Sequence, residues 1–365
     1  MPRSVLRAAR SLLAVGITSA ITAVTAHSQA RAWTIEPAPM LRIGAGTPDA
    51  EGFAAVVGAT RLPNGGVLVG DRGDHSLLVF DAKGALVSKF GRKGKGPGEI
   101  GYMMYMFRCG DSIATVDISP TRVSVFSLDG KFARSFRFAG QPYRSACGRG
   151  GQWSHYGWES EKDMKPGPSR ALAPYWISRM DSAPGVSLGR LPGSERVGST
   201  KLPLGREPRV AVGRDRAYVA LADSFFVHSF SFDGSRRPGL RAAVKPVPST
   251  AKDLAAERER DIAMLGEKMR KLVEQEYANS PHAKTLPATR ELVVDADDNL
   301  WVQHFPRGGA STVQWTVFSP KGAPIATVQL PAAMELFEAG RDYVLGRYQD
   351  AIEGVPEVRM YRLRR

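Results

Sequence analysis

Two aspartates, a histidine and an arginine stand at matching positions in a pattern that recurs along the chain. The column formed by the last residues of the second predicted strands contains Asp71, Asp117, Gly157, Ala222, His304 and Arg347. Carboxylates and an imidazole around one opening can hold a metal ion or transfer protons. An aspartate at such a position also caps the following loop by accepting backbone N–H groups. We expect capping for Asp71 and Asp117, whereas both kinds of role remain open for His304 and Arg347.

Basic residues cluster in the loops around this column. They are Arg72, Arg92, Lys93, Lys95, Arg122, Arg206, Arg307 and Arg347, and the formal net charge is +14. The glycine-rich loop at residues 94–98 could bring its backbone close to an anion, although it lacks the Gly-Lys-Ser/Thr of a phosphate-binding P-loop. We predict a ligand-binding face made of Asp71, Arg72, Arg92, Lys93, Lys95, Asp117, Arg122, His304, Arg307 and Arg347. The alternative is a merely solvated basic surface.

The elements that must position these residues are short strands in a repeated unit. Residues 58–100 contain four predicted strands, with tight turns at Asn64-Gly65 and Lys83-Gly84. Four short antiparallel strands in about 40–45 residues are typical of a propeller blade. The unit recurs, with fewer of its sequence motifs, at residues 106–138, 145–191, 209–243, 291–330 and 334–363. The pattern therefore predicts an all-β fold, a six-bladed propeller of four-stranded antiparallel blades, in which second-to-third-strand loops and inter-blade connections share a top face.

The last unit lacks a fourth strand, and the chain offers one at its other end. Residues 40–44 resemble the fourth strand of the first unit, so we expect them to pair beside residues 358–363 and close the ring. Closure protects sheet edges.

One segment, residues 249–280, interrupts the β pattern between the fourth and fifth blades with apolar residues at helical spacing: Ile262, Leu265, Met269, Leu272 and Val273. We predict one amphipathic helix with a capping box from Thr250 to Asp253, serving either as a lid or docking surface or as plain packing.

The first unit resembles an NHL repeat. The resemblance lies in GVLVGD at 66–71, VFDAKG at 79–84 and FGRKGKGPGE at 90–99. The last stretch is also similar to bacterial exported six-bladed propeller proteins that carry a G-x-G-x-G-P-G-E loop. Such propellers mostly bind partners, and a minority are lyases, lactonases or esterases. The resemblance implies the fold, and the fold alone does not choose among these functions.

The N-terminus has the features of an export signal. Arg3, Arg7 and Arg10 precede a stretch without Lys, Arg, Asp or Glu at residues 11–29, and small residues follow near residue 30. The apolar run is short for a membrane span, although a retained N-terminal anchor helix is the alternative. We expect a signal peptide at residues 1–30, one propeller domain at residues 31–365 without a transmembrane segment, and a periplasmic or extracellular location.

The two cysteines stand almost one repeat apart. Cys109 and Cys147 each end the first predicted strand of adjacent units. In an oxidising compartment this placement favours a disulfide between the second and third blades. The alternative is two independent buried thiols, because the inner strands of neighbouring blades could lie too far apart.

No catalytic motif is evident in the sequence, which lacks HExxH, CxxC and GxSxG. The sequence favours an exported binding or interaction module over an enzyme, with no cofactor and no catalytic residue assigned. The expected partner is a protein or an anionic small molecule or glycan, and export argues against nucleic acid. The alternative is a metal-dependent lactonase-, esterase- or lyase-like enzyme at the channel mouth, whose candidate metal ligands are Asp71, Asp117 and His304.

Overall fold

A computed structural model describes residues 30–44, 52–137, 142–180, 182–349 and 355–365. The predicted signal peptide lies, apart from its last residue, outside these ranges. The fold is all-β apart from short helical segments. Two N-terminal strands, β1 (Arg31–Ile35) and β2 (Leu41–Ile43), precede a series of four-stranded antiparallel sheets.

The first three sheets follow the chain order. The first contains β3 (Val56–Arg61), β4 (Val67–Asp71), β5 (Ser76–Phe80) and β6 (Leu86–Phe90). The second contains β7 (Met103–Cys109), β8 (Ser112–Ile118), β9 (Thr121–Ser127) and β10 (Phe132–Phe136). The third contains β11 (Pro142–Cys147), β12 (Gln152–Gly157), β14 (Leu172–Arg179) and β15 (Ser182–Pro192).

Three further sheets complete the described β structure of this kind. The fourth contains β18 (Arg209–Val212), β19 (Arg216–Ala220), β20 (Phe226–Ser231) and β21 (Arg236–Arg241). The fifth contains β22 (Thr289–Val294), β23 (Leu300–His304), β24 (Thr312–Phe318) and β25 (Pro324–Pro331). The sixth contains β26 (Met334–Ala339), β27 (Tyr343–Tyr348) and β28 (Glu357–Arg364), with β2 as its fourth strand.

The first strands of these sheets surround a common axis. Each of β3, β7, β11, β18, β22 and β26 contacts the next, and β26 contacts β3. Apolar side chains fill the spaces between neighbouring sheets, as where Val116 and Val123 of the second sheet pack with Trp153 of the third. Glycines at positive φ, such as Gly84 and Gly130, shape the predicted hairpins between third and fourth strands. This arrangement of sheets around an axis is that of a β-propeller.

The two chain ends meet in the sixth sheet. Leu41 pairs with Met360 and Ile43 with Val358, which is the pairing that the sequence predicts. The strand β1 adds a contact that the repeat pattern does not predict. It pairs in parallel with β25 and antiparallel with β28, so it joins the fifth sheet to the sixth.

The insertion differs from the predicted single helix. It consists of α1 (Ala251–Leu265), a short 3₁₀ turn (Glu267–Met269) and α2 (Arg270–Asn279), with Gly266 at φ +100° between them. The predicted capping box is present, since Thr250 and Asp253 exchange hydrogen bonds between side chain and backbone. Its buried face matches the predicted apolar stripe only in part, because Ile262 and Val273 are buried whereas Met269 is exposed. Glu257 is buried while Leu265 and Leu272 are exposed, because cations of the propeller lie against the helix.

A small accessory sheet lies outside the six larger sheets. Three short strands form an accessory sheet outside the repeat pattern, namely β13 (Pro168–Ser169), β16 (Arg196–Val197) and β17 (Thr200–Lys201). The repeat pattern does not predict this sheet. Among the residues that the structure describes, no helix is long and apolar enough to cross a membrane.

Candidate functional site

Asp71 caps a loop, as expected. Its carboxylate is buried and accepts hydrogen bonds from the backbone N–H groups of Ala54, Ala55 and Gly73, each over 2.9 Å. These three donors come from the entry to the first sheet and from the loop that follows β4. The carboxylate therefore ties two loops together and is not directed at a ligand.

Asp117 and Arg122 hold the glycine-rich loop. Arg122 donates from Nε to Oδ2 of Asp117 over 3.2 Å, and Gly101 N–H donates to the same oxygen. The other guanidinium nitrogens of Arg122 donate to the backbone carbonyls of Lys95, Gly96 and Glu99. Both side chains are buried, and burial raises the pKa of Asp117. Arg122 is thus an internal support of the loop at residues 94–99 and is not part of an exposed basic face.

His304 and Arg347 lie in different surroundings from the two aspartates. The His304 ring lies 2.9 Å from the hydroxyl of Thr316 and packs against Phe225, and burial lowers its pKa. Arg347 donates to the carbonyl of Val56 and forms an ion pair with Glu335 at 2.6 Å. Within the described ranges, no three His, Cys, Asp or Glu side chains are grouped so that they could hold a metal ion. The candidate metal ligands Asp71, Asp117 and His304 are therefore not brought together.

The remaining basic residues divide into two groups. Arg307 donates to both carboxylate oxygens of Asp253, and Arg72 donates to the carbonyl of Met264, so both attach the helical insertion to the top face. Arg92 is largely exposed and pairs with Glu99 at 2.9 Å. Lys93 and Lys95 are exposed on the same loop. Of the predicted basic face, this loop is the part that is exposed without contacting the helical insertion, since Arg307 is exposed but paired with Asp253.

Cys109 and Cys147 form a disulfide in the structure. Their Cα atoms lie 5.4 Å apart, within the range that a disulfide requires. The two residues end β7 and β11, so the bond joins the first strands of the second and third sheets at the face opposite the insertion.

The first strands enclose a central channel. Its cavity volume is about 440 Å³. Residues two apart in a strand point to the same side, and this alternation builds two layers of channel-facing side chains. The polar layer, nearer the insertion, consists of Tyr105, Arg144, Arg209, Glu291 and Glu335. Two residues further along the strands, the apolar layer consists of Ala59, Phe107, Ala146, Ala211, Val293 and Phe337.

The polar layer is held by Glu207, which lies just before β18. Its carboxylate pairs with Arg144 at 3.1 Å and with Arg209 at 3.0 Å. Arg209 also pairs with Glu291 across neighbouring first strands. Burial would raise the pKa of Glu207, but Lys201, Arg209 and Arg144 outweigh it and hold this pKa well below its usual range. The layer therefore presents fixed guanidinium groups to the channel.

The helical pair, α1 and α2, lies next to this end of the channel. A second cavity of about 180 Å³ is lined by Asp261 and Tyr277 of the helices and also by Arg144 and Arg209 of the polar layer. Glu257 of α1 pairs with Arg290 at 2.8 Å and with Lys201 at 3.6 Å. Burial would raise the pKa of Glu257, but Arg290, Lys201 and Arg260 lower it to about 2. The helical pair is thus attached over the channel end by the ion pairs of the buried Glu257.

The sequence contained a pattern that could have located the polar layer. Arg144, Arg209, Glu291 and Glu335 occupy the beginning of four first strands, in the sequences PYRSAC, RVAV, TRELVV and MELFEA. An ionisable residue near the start of an otherwise apolar inner strand recurs across units. The residues at the ends of the second strands include loop caps such as Asp71 instead, because the second strands lie one strand away from the axis.

Comparisons with known proteins agree with this architecture. The family model DUF5128, described as a 6-bladed beta-propeller, matches residues 56–167. A solved structure of a DUF4221 family member from Bacteroides vulgatus is 8% identical, with a TM-score of 0.52, covering 92% of this chain and 99% of that one. This similarity shows the propeller fold. No curated protein matches the chain in sequence.

Two further solved structures are similar at lower TM-scores. A protein from Bacteroides fragilis described as exported is 14% identical, with a TM-score of 0.48, covering 94% of this chain and 97% of that one. Virginiamycin B lyase from Staphylococcus aureus is 11% identical, with a TM-score of 0.40, covering 91% of this chain and 94% of that one. These similarities concern the fold alone.

Proposed function

We propose that the protein is an exported, closed six-bladed β-propeller that acts as a binding protein, with its ligand site in the central channel beneath the helical pair. The N-terminal arginines and the uncharged stretch after them support export. The cycle of contacts among the six first strands, together with the pairing of β2 with β28, supports a closed ring of six blades.

The channel itself carries the proposal. Its volume of about 440 Å³ lies within the range of roughly 300–1,000 Å³ that small-molecule sites occupy. A polar layer stacked on an apolar layer offers a few fixed charged groups above a hydrophobic wall, which is the usual composition of a binding pocket. The helical pair shields the polar end, so the charges there interact more strongly than they would in open water.

The same geometry favours binding over the metal-dependent alternative. The Asp71 carboxylate accepts hydrogen bonds from three backbone N–H groups, and one oxygen of Asp117 accepts hydrogen bonds from Gly101 and Arg122. Guanidinium groups in the polar layer recognise an anion without a metal. The proposed ligand site is therefore the channel and not the loops on which the sequence predicts it. The exposed loop at residues 92–95 is a separate, external surface.

Filling the apolar layer tests this proposal. Ala146→Phe places a ring in the channel, while Ala133→Phe makes the same change on the exposed outer strand β10. Native mass spectrometry of protein purified from the exported fraction should find a small molecule retained by the parent chain and by Ala133→Phe, and absent from Ala146→Phe. Equal retention by a folded Ala146→Phe variant would show that the channel is not the ligand site.

A further inference from the structure

Among the described residues, the ion pairs at the covered end of the channel contain more cations than carboxylates. They form one connected network whose five cations are Arg144, Lys201, Arg209, Arg260 and Arg290. Its four carboxylates are Glu207, Asp261, Glu257 and Glu291. Burial and the neighbouring Glu257 raise the pKa of Asp261, although Lys201 acts against them. These cations are at most partly exposed, and a bound anion would compensate the excess positive charge.

One guanidinium in this network has unused hydrogen-bonding capacity. Arg144 donates from one terminal nitrogen to Glu207, whereas its Nε is buried and has no hydrogen-bond partner among the described residues. A buried N–H group without a partner is rare in folded proteins and calls for a ligand or water. Arg144 lines both the channel and the cavity beneath the helical pair. Arg209, held by Glu207 and Glu291, stands beside it in the same layer.

The groups around these arginines restrict the anion. Glu291 and Glu335 belong to the same polar layer and would repel a doubly charged ligand. The apolar layer begins two residues further along each strand, with Phe107, Val293 and Phe337 on its wall. A ligand that satisfies both layers carries one negative charge at one end and an apolar body at the other.

We infer that the channel binds a small organic monocarboxylate, whose carboxylate contacts Arg144 and Arg209 and whose apolar tail lies in the layer of Phe107, Val293 and Phe337. Arginine favours carboxylates because its planar guanidinium donates two parallel hydrogen bonds. This inference rests on the proposed channel site and names the class of ligand for it.

Octanoate is the probe, measured by calorimetry with the mature protein, and octanamide, suberate and inorganic phosphate are the comparisons. We expect octanoate to bind, and octanamide, suberate and phosphate to bind at least tenfold more weakly. Arg144→Gln should lower octanoate affinity at least tenfold, and Arg144→Lys should give an intermediate loss because the charge stays while Nε is removed. Arg241→Gln, on the exposed outer strand β21, should leave affinity unchanged.

The outcomes separate this inference from the proposed function. Octanamide or phosphate binding as tightly as octanoate would overturn the monocarboxylate class. The same holds if Arg144→Gln and Arg144→Lys both bind octanoate like the parent, or if the parent does not bind octanoate at all. Octanoate binding that survives Ala146→Phe would instead overturn the channel site itself.

Discussion

Arg122 and Asp117 form an ion pair over 3.2 Å in which both side chains are buried, and the rest of the Arg122 guanidinium binds three carbonyls of the glycine-rich loop. The arginine lies on β9 and the aspartate on β8, so the second sheet supports a loop that belongs to the connection from the first. The pair therefore fixes the relative position of two neighbouring blades.

Removing the arginine should destabilise the protein. Arg122→Met leaves the buried Asp117 carboxylate without its cation, a change that costs about 3–5 kcal/mol for pairs of this kind. Arg92→Met is the matched control, because Arg92 is exposed and its pair with Glu99 is solvated. Urea unfolding of both variants measures the difference. Equal unfolding midpoints would contradict the structural role of Arg122.

The N-terminal strands β1 and β2 should contribute strongly to the stability of the protein, although both are short. Deleting residues 31–44 removes β1 and β2 and opens the edge of the sixth sheet. We expect a large fall in melting temperature, and Ile43→Ala alone should cost about 2–5 kcal/mol because Ile43 is fully buried. Met40→Ala is the control, since Met40 is exposed. A truncated protein that melts within a degree or two of the chain that begins at residue 31 would contradict the closure.

The repeat pattern and the hairpin turns could be predicted from the sequence because each depends on local information. The closing strand could be predicted because the last unit lacks a fourth strand and residues 40–44 resemble one. Alternating apolar residues and Asp-Gly or Lys-Gly turns specify strands and hairpins wherever they occur. The cap at Thr250 is equally local. The orientation of the helical pair depends on distant partners instead. Glu257 is buried because Arg290 and Lys201, far away in the chain, lie against it.

The polar layer escaped prediction for a similar reason. A single Arg or Glu near the start of a strand is common in proteins. These residues form a shared layer only because the six first strands surround one axis. The structure brings Arg144, Arg209, Glu291 and Glu335 together from four different sheets. Arg122 shows the opposite case, because an arginine expected to contact a ligand is used to hold a loop.

The disulfide should leave no free thiol. Thiol counting under denaturing, non-reducing conditions is expected to find none in the protein purified without reductant, and two titratable thiols would contradict the bond. The bond spans 38 residues, for which the loop-entropy model gives a stabilisation of about 4 kcal/mol. Reducing agent should therefore lower the unfolding midpoint of the parent chain and leave that of the Cys109→Ser, Cys147→Ser double variant unchanged.

Acid should release the helical pair. Hydrogen bonds from Gly308, Thr250 and Arg307 outweigh burial and lower the pKa of Asp253 to about 2, and Glu257 has a similarly lowered pKa. A lowered carboxyl pKa stabilises the folded state fully above the unfolded value, 4.5 for Glu257, and this contribution disappears as pH falls toward 2. The raised pKa of Asp261 acts in the opposite direction and partly offsets the loss.

Hydrogen exchange of residues 251–279 measures this release. Protection should be constant from pH 7 to pH 5 after correction for intrinsic rates, and it should fall below pH 4.5. Glu257→Gln should exchange faster than the parent at neutral pH and show a weaker acid dependence. Protection in the parent that is unchanged down to pH 2.5 would contradict the ion-pair attachment.

The exposed loop cations should be separable from the channel. Arg92, Lys93 and Lys95 project from a loop that Arg122 holds from behind, so reversing all three to Glu should leave the unfolding midpoint nearly unchanged. Octanoate affinity and small-molecule retention should also be unchanged, because the channel charges are shielded from this surface. At about 0.15 M salt, charges more than about 8 Å apart are largely screened. Loss of the retained small molecule in a folded triple variant would place the ligand site on the top-face loop, where the loop composition alone predicts it.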